Sequence, residues 1–146
     1  MCSNALNMIF SFCPICHAID DDALGHLSVK WFGCYESSGV VFITGEPTVS
    51  VNILTGIFGA LEPARQAFLR LRIGYKEWQP SIANALKYFY ESQDIWFRLS
   101  LSNIVIDTRR RRREPRITLT YHPDWEKSRK LIVRMENWKP VSAYCV

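Results

Sequence analysis

The chain of 146 residues has no run of about 18 consecutive apolar residues, which is the length that a membrane-spanning helix needs. Its most apolar window, residues 49–61, is interrupted by polar residues and by two glycines. No basic residue precedes the apolar stretch 6–12, so the N-terminal pattern is not that of a secretory signal. These absences predict a protein without a membrane segment, located inside the cell in the nucleus, the cytoplasm or both.

Basic residues are nearly absent from the first 60 positions, where Lys30 is the one base against five acidic residues. The other 17 lysines and arginines lie after residue 60, together with 9 acidic residues. Charge asymmetry between the halves of a chain is typical of proteins that contact nucleic acid or membranes. We therefore expect the binding surface in the second half. The 48% hydrophobic content excludes general disorder.

The sequence motifs of the common enzyme classes are also missing. There is no phosphate-binding loop, nucleophile elbow, paired-histidine metal motif or dinucleotide fingerprint. His122 lies close to Asp124, but no serine or cysteine nucleophile stands in a recognisable motif, so this pair is interpreted as a capped turn. The prediction leans away from an enzyme.

The dominant feature of the second half is a run of five arginines: Arg109, Arg110, Arg111, Arg112 and Arg113. The flanking segments 97–106 and 116–121 alternate apolar and polar residues, which is typical of half-buried strands. The pattern predicts a β-hairpin over 97–121 with the arginines at its tip. Five adjacent guanidiniums cannot be buried unpaired, and their forks fit phosphate oxygens. The alternatives are a solvated loop or a nuclear-localisation signal.

Further basic residues are expected to widen the surface around the hairpin tip: Arg65, Arg70, Arg72, Arg116, Lys127, Arg129 and Lys130. Four aromatic side chains would stack on bases if they were exposed, and the alternative for each is a place in the core: Trp78, Trp96, Tyr121 and Trp125. Phosphate contacts supply affinity with little sequence choice. The resulting prediction is a nucleic-acid-binding protein, with RNA favoured over DNA.

A second motif, Cys13-Pro14-Ile15-Cys16, has the ligand spacing of a zinc knuckle. With His26 and Cys34 it gives three sulfur ligands and one nitrogen ligand, which is an accepted structural zinc set; His17 is an alternative to His26. The competing interpretation is a pair of ordinary half-buried thiols. The odd number of cysteines favours a reducing compartment over a set of disulfides. The acidic run 20–22 is interpreted as a loop or a first helical turn.

A Cys-Pro-Ile-Cys-His knuckle at 13–17 combined with an arginine run at 109–113 resembles small zinc-binding accessory proteins of viruses. Some of those proteins bind RNA or suppress host defence, and others act as adaptors to host factors. The resemblance covers only these two motifs. It implies a virus–host role, and it supports a second hypothesis: a zinc-stabilised adaptor for a host protein whose arginine run is a nuclear-localisation signal.

The pattern of elements predicts an α+β fold as one domain, 1–146, with an antiparallel sheet and two helices on one face. Residues 27–53 are expected to form a three-stranded meander with a strand at 40–44. The first helix would end before Gly74, and the second would begin near Pro80. A last strand is predicted at 130–135, followed by a loose tail. The aromatic content leaves a homodimer open.

Overall fold

A computed structural model describes residues 18–31, 33–57, 59–89, 98–110 and 112–146. The strand predicted near residues 6–12 lies outside this part of the chain, as do Cys13, Cys16 and His17. The described strands are β1 (Ala18–Asp21), β2 (Gly25–Trp31), β3 (Cys34–Val40), β4 (Val49–Leu54), β5 (Leu99–Asp107), β6 (Arg116–Pro123), β7 (Leu131–Glu136) and β8 (Lys139–Cys145). Helix α1 (Glu62–Leu86) and a 3₁₀ turn (Lys87–Phe89) lie between β4 and β5.

All eight strands form one mixed sheet in chain order, β1 to β8. Neighbouring strands are antiparallel except β4 and β5, which are parallel and therefore need a crossover connection. Helix α1 lies in that crossover. Because β4 and β5 run in the same direction, Leu54 and Asp107 pair at one end of the sheet, where Asp107 also pairs with Arg116. We call this the arginine end.

Alternation along the strands separates a buried face from a polar face. Ile53, Ile106 and Ile117 are paired neighbours across three strands, and all three are fully buried. Helix α1 contributes Phe68, Leu71 and Ile82 to the same core, again without exposed surface. On the other face the corresponding row, Asn52, Val105, Thr118 and Arg134, is partly exposed. Every second residue of these strands is apolar, and this alternation determines which face of the sheet the helix covers.

Helix and sheet also share a buried polar contact, between the hydroxyl oxygens of Tyr75 and Tyr121 at 2.6 Å. Burial raises the pKa of both phenols, so both stay protonated near neutral pH. The pair fixes the middle of α1 over β6.

The predicted α+β fold with two helices is wrong, because the described residues 62–86 form a single helix on a mixed, mostly antiparallel sheet. Gly74 and Pro80 both lie inside α1. The buried stripe continues past them, since Leu71, Tyr75, Ile82 and Leu86 repeat at helical spacing. Burial of that stripe outweighs the local cost of one glycine and one proline, each of which weakens a helix interior.

Two other predicted boundaries are also wrong. Of the strand expected at 40–44, only Val40 is in a strand, and residues 41–44 form a loop. β3 runs instead through the glycine- and serine-rich segment 34–40, where Tyr35 and Ser37 face inward. The tail expected to be loose forms β8, which pairs with β7 through a two-residue turn, Asn137–Trp138. Both turn residues have positive φ, 49° and 62°, as a type I′ hairpin turn requires. Pro140 is tolerated in β8 because β8 is an edge strand.

No helix among the described residues is both long enough and apolar enough to cross a membrane. Helix α1 has sufficient length, but its exposed face carries charged residues such as Arg70 and Glu77.

Candidate functional site

The arginine run lies in the connection between β5 and β6, residues 108–115, which we call the arginine loop. Its first residue is tied to β4, because the backbone N–H and the side-chain hydroxyl of Thr108 both donate to the carbonyl oxygen of Leu54, at 2.9 and 3.3 Å. The backbone N–H of Arg109 then donates to Asp107 Oδ1 at 3.1 Å, which closes a tight turn. The base of the loop is thus held by the sheet.

Arg109 has a carboxylate partner inside the chain. Its Nε and Nη2 donate to the two oxygens of Asp107, at 2.9 and 2.8 Å, in the bidentate geometry of a strong charge-assisted pair. Only 12% of the Asp107 side chain is exposed. The hydrogen bond from Arg109 lowers the pKa of the Asp107 carboxyl. A phosphate that contacted Arg109 would therefore have to compete with Asp107.

The Asp107–Arg109 pair predicts a specific loss of stability in acid. Because the pKa of Asp107 is lower in the folded chain than the ~3.9 of an unfolded aspartate, its contribution is complete above that value and disappears as the pH falls through the folded-state pKa. In Asp107→Asn this contribution is missing at every pH. Urea unfolding of both proteins from pH 6 to pH 2 should give free energies of unfolding that converge in acid. A constant difference would contradict the assignment.

Past Arg109 the loop surrounds a surface cavity of about 420 Å³ at the arginine end. Seven described residues line it: Arg110, Arg112, Arg113, Glu114, Arg116, Glu136 and Asn137. Four guanidiniums against two carboxylates leave a formal excess of two positive charges. A cavity with this excess is an attractive site for an anion.

Both carboxylates of the cavity are already engaged. Glu136 Oε1 accepts from Arg116 Nε at 2.8 Å and lies 3.8 Å from Arg110 Nη1. Glu114 Oε2 accepts from the indole N–H of Trp138 at 3.0 Å and lies 3.7 Å from Arg70 Nη1. Both carboxylates of the cavity thus have partners other than Arg112 and Arg113.

Within the part of the chain that the structure describes, Arg112 and Arg113 form no ion pair within 4.0 Å, and both are exposed. Arg112 has a φ of 60°, a left-handed conformation that costs an arginine free energy. Together these residues present two uncompensated guanidiniums at the rim of a positive cavity.

A clamp of aromatic and charged side chains holds the loop against α1. The indole rings of Trp78 and Trp138 stack at 5.1 Å with an interplanar angle of 22°. The guanidinium of Arg70 lies 4.2 Å from the centre of the Trp138 ring, a cation–π contact. Because Trp138 also binds Glu114 of the arginine loop, helix, hairpin turn and loop meet at one point. The cavity therefore borders a packed contact of helix, hairpin turn and loop.

Of the other predicted basic residues, the structure brings Arg70 and Arg116 to the loop and places the rest elsewhere. Arg65 pairs with Asp21 at 3.2 Å, and Arg72 lies over the Phe68 ring. Lys127, Arg129 and Lys130 follow the far end of β6, whose eight residues separate them from the arginine end by about 25 Å. Arg111 lies outside the described residues.

The aromatic residues predicted to stack on bases are not gathered at the loop either. Tyr121 is buried, and Trp78 is already stacked on Trp138. Trp125 is partly exposed, but it follows β6 at the end of the sheet opposite to the arginine loop. Trp96 is not among the described residues. The described residues that line the arginine cavity consequently offer charge and no stacking surface.

The predicted zinc set is split by the register of the sheet. Cys34 pairs with Trp31, which lies five residues along β2 from His26, or about 16 Å at ~3.3 Å per residue. Zinc ligands stand ~2.0–2.3 Å from the ion, so His26 and Cys34 cannot hold the same ion in this arrangement. Burial raises the pKa of the Cys34 thiol, and His26 Nδ1 lies 2.7 Å from Asp20 Oδ1.

No group of three His, Cys, Asp or Glu residues placed to hold a metal occurs among the residues that the structure describes. The acidic run has another role there: Asp21 Oδ1 accepts from the backbone N–H groups of Ala23 and Leu24, at 2.8 and 2.9 Å, and so closes the β1–β2 turn. Cys13, Cys16 and His17 lie outside the described residues, and the knuckle stays a prediction.

Four residues of the site were missed by the sequence interpretation: Asp107, Glu114, Glu136 and Trp138. A signal existed for the last, since Asn137–Trp138 stands between two alternating segments and asparagine favours the positive φ of a hairpin turn. Glu114 and Glu136 carry no such signal, because their arginine partners lie 44 and 20 residues away in sequence. Asp107 is only two residues from Arg109, but sequence proximity alone does not show that the two side chains pair.

Comparison of the chain with protein-family models, with curated proteins and with solved structures finds no match.

Proposed function

We propose that this protein binds nucleic acid, with RNA favoured, through phosphate contacts made by Arg112 and Arg113 of the arginine loop. The observation that carries the proposal is the absence of any carboxylate within 4.0 Å of these two guanidiniums among the described residues. They stand at the rim of a cavity in which Arg110 and Arg116 add further positive charge.

A phosphodiester is the anion that suits this arrangement best. Each guanidinium can donate two parallel hydrogen bonds to one phosphate group, and adjacent arginines can engage successive phosphates of a strand. The pair Arg109–Asp107 stabilises the base of the loop, so that the free arginines project from a fixed position. Rigid placement reduces the entropy lost on binding.

The proposed contact has little choice of sequence, because the described residues that line the arginine cavity include no aromatic ring. The exposed ring of Trp31 lies at the same end of the sheet, but on β2, three strands away from β5. RNA is favoured because arginine-rich elements commonly recognise RNA by its shape and backbone. DNA of the same sequence is expected to bind through the same phosphate contacts.

The experiment compares three ligands with the same 20-base sequence: single-stranded RNA, single-stranded DNA and a peptide nucleic acid, whose backbone carries no charge. Fluorescence anisotropy with the purified full chain should show binding to RNA, comparable or weaker binding to DNA, and none to the uncharged analogue. Equal binding of the uncharged analogue, or no binding of RNA at low salt, would overturn the proposal.

The alternative, a zinc-stabilised adaptor whose arginine run is only a nuclear-localisation signal, is separated by a second measurement. Replacing residues 109–113 by a neutral sequence should abolish RNA binding if the proposal holds. If only the cellular location changes and RNA binding persists, the adaptor is favoured. Zinc analysis of the protein purified without added metal tests the knuckle at Cys13 and Cys16 independently.

A further inference from the structure

The two edges of the sheet are protected to different degrees. An edge strand exposes unpaired N–H and C=O groups, and proteins usually protect it by short length or by charge. β1 is four residues long and ends in two aspartates, Asp20 and Asp21. β8 is seven residues long, and its one charged residue is Lys139 at its start. Among the described strands, β8 therefore forms the open edge.

The hydrogen bonds of β7 show which groups of β8 face outward. Lys130 and Val146 exchange two backbone bonds, at 2.9 and 2.8 Å. Bonded pairs alternate along an antiparallel ladder, so the next inward-bonded residues of β8 are Tyr144 and Ser142. Ala143 and Cys145 therefore direct their N–H and C=O groups away from β7, where no described residue lies beyond them.

Apolar surface accompanies this open edge. A groove of about 810 Å³ runs between α1 and β8, and it is lined by Trp78, Tyr88 and Val141 among others. Tyr88 is 85% exposed and Val141 is 55% exposed. Tyr144, on the opposite face of β8, is a further large exposed side chain. Aromatic and aliphatic side chains without charge are typical of the centre of a protein interface.

We propose that a second copy of this chain docks on β8, pairing antiparallel with the same strand around a two-fold axis at Tyr144. Ala143 and Cys145 flank Tyr144 symmetrically, so Ala143 of each copy faces Cys145 of the other. Each of these two facing pairs exchanges two backbone N–H to C=O hydrogen bonds. A two-fold contact requires such a self-complementary strand. The product is one continuous sheet of two eight-stranded halves.

The charge of the strand favours a second copy over a peptide of another protein. Segment 142–146 carries no charged side chain, so self-pairing brings no like charges together. A charged peptide would find no opposite charge among the side chains of this segment. The inference does not rest on nucleic-acid binding, because β8 lies outside the residues that line the arginine cavity.

Sedimentation of the full chain tests the proposal. The wild type should have twice the chain mass of 17.0 kDa. Ala143→Pro removes an outward N–H and leaves the bonds to β7 in place, and Tyr144→Lys sets two ammonium groups against each other across the axis. Both variants should sediment as monomers with a melting temperature near that of monomeric wild type. Ile73→Lys, a matched change at an 84% exposed residue on α1 outside the groove, should stay dimeric.

A cross-link tests the register. Residues directly opposite in a non-bonded antiparallel pair have closely spaced Cβ atoms, which suits a disulfide. Tyr144→Cys in a Cys145→Ser background should oxidise to a covalent dimer, whereas Cys145→Ser alone should not. A wild type that stays monomeric at high concentration overturns the proposal, as does a dimer that persists in both Ala143→Pro and Tyr144→Lys. Should Ala143→Pro fail to fold, Tyr144→Lys decides alone.

Discussion

Replacing Arg112 and Arg113 together by glutamate is expected to weaken RNA binding by about 100-fold at low salt. Each lost contact between a guanidinium and a phosphate costs roughly 1.5 kcal/mol or more, and 1.4 kcal/mol corresponds to a factor of ten in affinity. The fold should be unaffected, since neither side chain has an ion-pair partner among the described residues. Titration of a fluorescent 20-base RNA measures the change.

The matched control changes the same amount of charge elsewhere. Lys127→Glu with Arg129→Glu alters residues in the β6–β7 connection, at the opposite end of the sheet from the arginine loop. This double variant should lose no more than a few-fold in affinity, as expected for a weaker overall field. If the control lost as much affinity as the loop variant, net charge rather than the arginine loop would explain binding.

Gly33→Ala is expected to cause the largest loss of stability from a single small substitution, roughly 2–5 kcal/mol. Gly33 has a φ of 77°, which alone costs an alanine about 1–2 kcal/mol. A Cβ atom there would also lie 2.3 Å from the carbonyl carbon of Gly56, a backbone atom that cannot move aside cheaply. The same contact is held by the bond from Thr55 N–H to the Gly33 carbonyl, at 2.8 Å.

Gly39→Ala separates the two causes. Gly39 has a similar φ of 71°, but an added Cβ would meet no atom within 4 Å. Its cost should therefore be the conformational 1–2 kcal/mol alone. Urea unfolding of both variants measures the difference, and equal losses would show that the approach of Gly33 to Gly56 is not tight. Gly56 is a neighbour of Arg109, since an added Cβ on Gly56 would lie 3.8 Å from Arg109 Cγ. If the alanine at position 33 displaces Gly56, we therefore expect the base of the arginine loop to be disturbed as well.

The parts of the fold that the sequence predicted are those set by local alternation. Ile117, Leu119 and Tyr121 alternate with polar residues in the sequence, and all three are buried in β6. The same rule located most of β7. It failed at β3, whose glycine and serines have low strand propensity, because pairing with β2 and β4 on both sides overrides that propensity.

The helix error shows how a local signal can be given too much weight. Gly74 and Pro80 are ordinary signs of a helix end and a helix start, yet both lie inside α1. The helical spacing of the apolar residues on either side of Gly74 and Pro80 indicated one continuous helix: Leu71, Tyr75, Ile82 and Leu86. Gly74 also has a packing role, since an added Cβ would lie 2.7 Å from the ring of Trp78.

For the candidate site, the sequence identified the arginine run but could not say which arginines were neutralised. That distinction depends on three carboxylates in different places: Asp107 at the end of β5, Glu114 within the loop, and Glu136 at the end of β7. The zinc prediction failed to bring His26 and Cys34 together for the same reason, because sequence spacing does not give the strand register. Spacing placed His26 and Cys34 in one ligand set, whereas the register of β2 and β3 holds them about 16 Å apart.

The most direct test of phosphate binding by the arginine loop is the salt dependence of RNA affinity. For a single strand, the slope of log K against log salt changes by about 0.7 for each neutralised phosphate. Wild type and Arg112→Gln with Arg113→Gln should both give straight lines, with the double variant shallower by about 1.4. Parallel lines of equal slope, or no salt dependence in the wild type, would contradict the assignment of phosphate contacts to these two residues.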